Sequence, residues 1–380
     1  MLSRVNNPVA RYYTVYPAGS AGRSELLSFL KAAYADQFNA QEYQDEKDIT
    51  ERWEWANIKN PNKGSFKSLS WICRENTSNK IVGHFGVMPI SLKYRDVYCP
   101  AVWGRDLIVL PEFRKLGVGP FLTASVLEEV KDEAAIFMIA GLNDNDNVYR
   151  MYKKFGFVDM GRIPLYVRAN RSFIPFLSVI GNFAIKLFYT PSDICRHIRG
   201  RNEDVLFKEI ARFDDSFNKL WEAASAPFGL IVRRDSAYLN WRFADQPYWD
   251  YKIFKASLKG SGDPAGYIVL REGGSRGLRT GVITDIFASG NDPDIMTSLV
   301  DFAVSHFSKR DDIALIRCDM LNKDAGRALR ECGFVGIPSG TRFMFTNIKG
   351  GLDAVFFADR GNWFLDYADS DLDLSGQRIT

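Results

Sequence analysis

Apolar residues recur at intervals of three and four in two stretches of the chain. Within 120–133 they are Phe121, Leu122, Val126, Leu127 and Val130; within 293–307 they are Met296, Leu299, Val300, Phe302, Ala303 and Phe307. That spacing lays an apolar stripe along one side of a helix and predicts an amphipathic helix over each stretch. Around them lie short runs of aromatic and β-branched residues that read as strands. KIVGHFGVM (80–88), GRDLIVL (104–110) and AIFMIAGL (135–142) surround the first helix; PAGYIVL (264–270), GVITDIF (281–287) and IALIRCDM (313–320) surround the second. The order strand, strand, helix, strand is the same in both places.

Other landmarks repeat with it. WANIKNP and WRFADQP each hold a tryptophan six residues before a proline, Trp55 to Pro61 and Trp241 to Pro247. Asn145 precedes Gly156-Phe157 by eleven residues, and Asn322 precedes Gly333-Phe334 by eleven. A repeat of such long period means two copies of one mixed α/β domain. The expected boundaries are 1–169 and 211–380, joined by linker helices over 170–210.

Composition narrows the class. The chain has 380 residues, 46% of them hydrophobic, and a formal net charge of +3. That near balance gives no footprint for nucleic acid. Cys73, Cys99, Cys195, Cys318 and Cys332 are dispersed, and MLSRVNNPVARYY has no apolar leader core, so a cytoplasmic protein with reduced thiols is expected. His84, His197 and His306 lie far apart, so no metal site is expected. SFIPFLSVIGNFAIKLFY (172–189) is long enough to suit a membrane, but Pro175, Gly181, Asn182 and Lys186 favour a buried connecting helix over a span or surface contact.

The sharpest short string is RKLGVG, residues 114–119, between a strand and the first helix. A helix N-terminus presents unpaired N–H groups and the positive end of a dipole. Gly117 and Gly119 let the backbone approach an anion closely, and Arg114 and Lys115 add charge. Pro120 suits the first helical position. A diphosphate is the natural ligand of such a turn; a tight turn whose glycines serve geometry alone is the alternative.

Arg-x-x-Gly-x-Gly after a strand ending Val-x-Pro-Glu-Phe resembles the phosphate-loop motif of the GNAT acetyltransferase superfamily. NDNVYRMYKKFGF (145–157) resembles its Asn…Tyr-x-x-x-Gly-Phe helix. The resemblance covers roughly 10–168. It implies two tandem domains, each a mostly antiparallel sheet flanked by helices with a splayed central strand pair. It implies acetyl-CoA, or another acyl-CoA, as donor, with no metal. Arg114, Lys115, Leu116, Gly117, Val118 and Gly119 would hold the pyrophosphate, Leu107 and Val109 the pantetheine arm, and Asn145 the cofactor. Tyr152 falls where the family places the acid that protonates the departing thiolate, a role a phenol suits. Tyr149, three residues earlier, is the competing phenol.

The proton shed by the attacking amine needs an acceptor. Asp106, His84, Glu51 and Glu54 are candidates, and a water relay would also serve. The second half has SGNDPD (289–294) in place of the phosphate loop and Leu329 in place of Tyr152. It is expected to bind no CoA and to shape the acceptor pocket, with Asp292 and Asp294 capping the next helix. RRDSAYLNWRF (233–243) reads as an acceptor-lining segment or a packing helix, and the aspartates of NWFLDYADSDLDLSG as a solvated acidic tail. The expected activity is acyl transfer, acetyl foremost, to an amine of an amino sugar, polyamine or peptide. An aminoacyl-tRNA-dependent transferase of the Fem type and a non-catalytic CoA or metabolite sensor are the alternatives.

Overall fold

A computed structural model describes residues 8–375 except 21, 39–45, 65, 143–146, 171–203, 276–277 and 290–291. Asn145, Cys195, His197, Asn291 and the 172–189 segment therefore lie outside the described residues. No helix among the described residues is long and apolar enough to cross a membrane.

The first half runs β1 (Tyr13–Pro17), α1 (Arg23–Phe38), α2 (Glu46–Asn57), β2 (Ser70–Glu75), β3 (Ile81–Tyr94), β4 (Val97–Val109), α3 (Val118–Val130), β5 (Ile136–Leu142), α4 (Asn147–Lys154) and β6 (Val158–Ala169). The second half runs β7 (Val205–Ile210), α5 (Ser216–Ala224), β8 (Leu230–Val232), β9 (Lys252–Leu258), β10 (Pro264–Ser275), β11 (Leu278–Ala288), α6 (Pro293–Phe307), β12 (Leu315–Leu321), α7 (Lys323–Glu331), β13 (Val335–Asn347) and β14 (Trp363–Asp366). The helices and strands predicted around the two amphipathic helices are present; of the linker helices expected over 170–210, residues 171–203 lie outside the described residues, and Val205–Ile210 is a strand, β7, that pairs with β9. β3 and β4 are longer than the pattern predicts, because Ile90, Leu92 and Tyr94 continue the buried run past Met88.

All strands belong to one sheet, with the path β1-β2-β3-β4-β5-β13-β6-β12-β11-β10-β9-β7. The halves exchange strands at its centre. β13, from the second half, pairs with β5 of the first, and β6, from the first half, pairs with β12 of the second. β6 and β13 pair antiparallel with each other, Val167 opposite Val335 and Pro164 opposite Pro338. A second tie crosses elsewhere: β8 pairs with β3, and β14 pairs with both β8 and β12.

The repeated tryptophans meet across this seam. Trp55 and Trp241 stack with centroids 4.5 Å apart and planes 5° apart. Each indole N–H donates to the other's carbonyl, at 2.7 and 2.9 Å. Both rings are buried, so each burial leaves no orphaned donor. This reciprocity is what an approximate two-fold between equivalent segments produces.

Parallel pairing inside each half is brief. β4 meets β5 only through Ala101–Trp103 and Ile136–Met138, and β11 meets β12 only through Thr280–Ile283 and Leu315–Cys318. Beyond those residues each pair opens into a fork. α3 packs on the first sheet through Val118, Phe121, Leu122, Val126 and Val130, in one core with Val82, Phe85, Phe137 and Tyr152.

Candidate functional site

The turn from β4 into α3 is built as the sequence predicts. Gly117 is the N-cap residue, at φ +85°, and Lys115 is also left-handed at φ +64°. No side chain caps the helix, so the N–H groups of its first turn have no side-chain acceptor at the N-cap. A Cβ on Gly117 would lie 2.9 Å from Val9 Cγ2, whereas one on Gly119 would meet nothing closer than Val109 Cγ2 at 3.8 Å. Gly117 is thus required by backbone and packing, while the space above Gly119 is open. Arg114, Lys115 and Leu116 are exposed, and Arg114 Nε donates to Val109 O at 3.0 Å. Pro120 is the third helical residue, not the first; its missing N–H falls among those a helix leaves unpaired anyway.

Leu107 and Val109, on the strand leading to this turn, pack toward α3. Between them and the paired part of β4 lies a bulge. The β3–β4 register shifts between His84 and Gly86, and Asp106 takes φ +55°. Such a bulge re-aims the local peptides at the edge of the fork.

Asp106 sits in a dense polar cluster. Arg105 Nη1 donates to Oδ2 at 2.6 Å, Arg52 Nη2 to Oδ1 at 3.1 Å, and the Tyr34 hydroxyl to Oδ1. Its carboxyl is buried, yet the two guanidiniums and the nearby ring of His84 hold it far below the usual carboxylate range. His84 is fully buried, with Nε2 2.5 Å from Ser70 Oγ and Nδ1 3.0 Å from the Asp106 carbonyl. Burial pulls its pKa down to about 4, so it is neutral and tied at both nitrogens near pH 7. In this structure His84 ties β2, β3 and β4 together, and Asp106 anchors two arginines. Glu54 pairs with Arg23 at 2.5 Å and Glu51 with Lys47 at 3.9 Å, both partly exposed.

Tyr152, on α4, is buried in the core beneath α3. Burial pushes its pKa up, opposed by a hydrogen bond with Thr123, so the phenol stays protonated. Tyr149 is committed elsewhere: its hydroxyl donates to Asp159 Oδ2 at 2.8 Å, and Arg342 Nη1 reaches the same oxygen at 2.6 Å.

The acidic C-terminal stretch is not a solvated tail. Asp366, Asp369 and Asp373 are buried. Arg234 Nη2 lies 3.0 Å from carboxylate oxygens of both Asp366 and Asp369, and its Nε lies 3.4 Å from Asp285 Oδ1. Arg271 reaches Asp373 at 2.6 Å and Arg242 reaches it at 3.7 Å. RRDSAYLNWRF therefore supplies buried cations that the tail neutralises. Two adjacent tail residues return to the first half: Arg52 Nη2 lies 3.4 Å from Asp371 Oδ2, and Leu372 rests against Gly141 of β5. Sequence reading missed Asp371; its signal is the alternation of acids with Leu372 and Leu374, which marks a packed segment.

The second half lacks the first half's openings. Asp292 caps α6, its Oδ1 accepting from Asp294 N at 2.9 Å and Ile295 N at 3.2 Å. β14 pairs with β12 at Met320 and Leu321, just past the point where β11 leaves it. Leu329 is buried.

The four described cysteines are buried free thiols, and no metal-binding group occurs among the described residues. A model of the acetyltransferase (GNAT) family matches residues 27–157. A GCN5-related N-acetyltransferase from Anabaena variabilis superposes with TM-score 0.60 at 14% identity, over 88% of this chain and 73% of that one. An Enterococcus faecalis protein described as a probable N-acyltransferase gives 0.58 at 14%, over 89% and 73%. Saccharomyces cerevisiae N-myristoyltransferase with bound myristoyl-CoA gives 0.56 at 13%, over 90% and 80%. At these identities the likeness is one of fold. No curated protein sequence matches the chain.

Proposed function

We propose, from the membership of residues 27–157 in the acetyltransferase (GNAT) family, that the first half moves an acyl group, acetyl foremost, from acyl-CoA to an amine. The observation that carries this reading is the uncapped N-terminus of α3 beside an open β4–β5 fork. Arg114 to Gly119 would cradle the diphosphate, with N–H donors from the loop and first turn. Leu107 and Val109 would run beside the pantetheine arm. The thioester would enter the fork, where the peptide of Leu107, re-aimed by the bulge, would offer its N–H to the developing oxyanion. Tyr152 would protonate the leaving thiolate. The rest of the acceleration would come from holding amine and thioester together, with no covalent enzyme intermediate.

The second half, 211–380, would be a structural partner that closes the acceptor side. Three features support that: the Asp292 cap, the strand β14 standing at the β11–β12 fork, and Leu329 in place of the tyrosine. We place the protein in the cytoplasm and its acceptors among amino sugars, polyamines and peptides. The test is release of free thiol from acetyl-CoA and longer acyl-CoAs against a panel of such amines. Amine-dependent thiol release that survives removal of metal supports the reading; binding of CoA without release by any amine supports the sensor alternative.

A further inference from the structure

Two carboxylates share the arginine pair beside the first fork, and their surroundings differ. Asp106 is clamped by Arg52, Arg105 and Tyr34 and its side chain is 8% exposed. Asp371 touches only the edge of that clamp, 3.4 Å from Arg52, and its side chain is 18% exposed. The groups facing Asp371 are Arg52 from α2 and Asp106 and Arg105 from β4. Two cations thus face two anions, and Asp106 takes the better share of both. Burial and the neighbouring Asp106 charge raise the Asp371 pKa, while Asp106 is lowered. Two carboxylates driven apart in this way mark a fixed anion and a proton acceptor.

Position supports the same division. Asp371 is followed by Leu372, which lies against Gly141 on β5, while its ion pair reaches Asp106 on the β4 bulge. The tail therefore lies against β5 through Leu372 and shares Arg52 with Asp106 of β4. Leu107, Val109 and Tyr152 belong to the core under α3, whereas Trp103 belongs to the core shared with Trp241 and the second half. A second observation concerns unpaired polar groups in the same cluster. Arg105 is buried, and its Nε and Nη2 have no hydrogen-bond partner. Unpaired buried guanidinium donors are costly unless a bound group supplies acceptors.

We infer that Asp371 is the proton acceptor for the attacking amine, working from the side of the fork opposite Tyr152. This rests on the acyl-transfer reading above. Asp371 first takes a proton from the bound ammonium, and the freed lone pair attacks the thioester carbonyl carbon, forming the C–N bond. The tetrahedral intermediate then collapses and the C–S bond breaks; the thiolate takes a proton from Tyr152, which regains it from solvent, and the amide nitrogen loses its remaining extra proton to water. Asp371 returns its proton to solvent.

The test uses the full-length protein with acetyl-CoA and two probe amines: n-butylamine, charged at neutral pH, and hydroxylamine, uncharged there. Asp371→Asn should keep the melting temperature and CoA affinity of the wild type. With butylamine kcat/KM should fall at least ~10²-fold near neutral pH, with the deficit shrinking as pH rises; with hydroxylamine it should fall less than ~10-fold. Equal losses with both amines at every pH, or no loss with either, would overturn the assignment while leaving acyl transfer standing. A wild type that binds no acetyl-CoA would remove the acyl-transfer reading itself, and this assignment with it.

Discussion

The N-termini of α3 and α6 occupy equivalent places in the two halves and have opposite chemistry. α3 begins at a glycine in left-handed conformation with no cap, and a Cβ on Gly119 would meet nothing closer than Val109 Cγ2 at 3.8 Å. α6 begins at Asp292, whose carboxylate already accepts from two N–H groups of its first turn. One helix keeps its dipole end for an anion from outside; the other spends it on its own side chain. The forks differ in the same sense. Among the described residues no strand pairs into the β4–β5 opening, whereas β14 adds to β12 beyond the β11–β12 contact. A repeated frame can therefore keep its packing while one copy closes its site with the protein's own groups.

The buried charges sharpen this contrast. In the second half Arg234 alone faces Asp285, Asp366 and Asp369, all nearly inaccessible. Arg234→Ala would leave three buried acids without their cation, and we expect a loss of about 3–5 kcal/mol in denaturant unfolding. Arg52→Ala in the first half should cost clearly less, since Asp106 keeps Arg105 and Asp371 is partly exposed. Equal costs would mean that the two clusters are not differently balanced.

The halves should also respond to pH in opposite directions. His84 falls from 6.5 to about 4 on folding, so the unfolded chain binds the proton first. Its contribution is intact above pH 6.5 and is lost as pH falls toward 4, by on the order of 3 kcal/mol. Asp369 rises from 3.8 to about 6, because burial and Asp285 outweigh Arg234. The folded chain then holds the extra proton, so this group's contribution to stability is greatest below pH 3.8 and is lost as pH rises through 6. Unfolding curves across pH 4–7 should show His84→Gln removing the acid-side loss and Asp369→Asn removing the loss on the rising side. If either variant leaves the wild-type slope unchanged, the corresponding group does not titrate as described.

Much of the frame was legible in the chain. The repeat was visible because Trp55 and Trp241 hold the same place in each copy, and they prove to be the stacked pair at the seam. The phosphate turn was visible because glycines between a strand and a helix have a local reason to be there. The exchange of β6 and β13 was not visible, because nothing local in VDMGRIPLYVRA (158–169) or VGIPSGTRFMFTN (335–347) says which neighbour each strand will take. The tail was misjudged for a related reason. Asp366, Asp369, Asp371 and Asp373 look solvated until Arg234, Arg271 and Arg52, between 102 and 319 residues away, are brought against them. Charge pairing over such separations follows from the fold and leaves no mark on the local pattern.

Smaller changes should separate the two tyrosine-equivalent positions and the two helix ends. Tyr152→Phe should lower kcat roughly 10²-fold with donor affinity unchanged, while Tyr149→Phe should mainly loosen the Asp159–Arg342 contact. The reverse pattern would move the acid to Tyr149. Asp292→Ala should cost about 1 kcal/mol of stability, the value of a lost cap, and leave thiol release unaffected. Loss of activity without loss of stability there would give the second half a role in the reaction.

The most direct measurement is calorimetric titration of CoA into the full-length protein and into Gly119→Asp, a position where a Cβ meets no clash. The account predicts one site per chain. It also predicts a loss of at least ~2–3 kcal/mol of binding in the variant, from a negative charge placed where the phosphates sit, with melting temperature unchanged. Two sites of comparable affinity, or one site undiminished in Gly119→Asp, would contradict it.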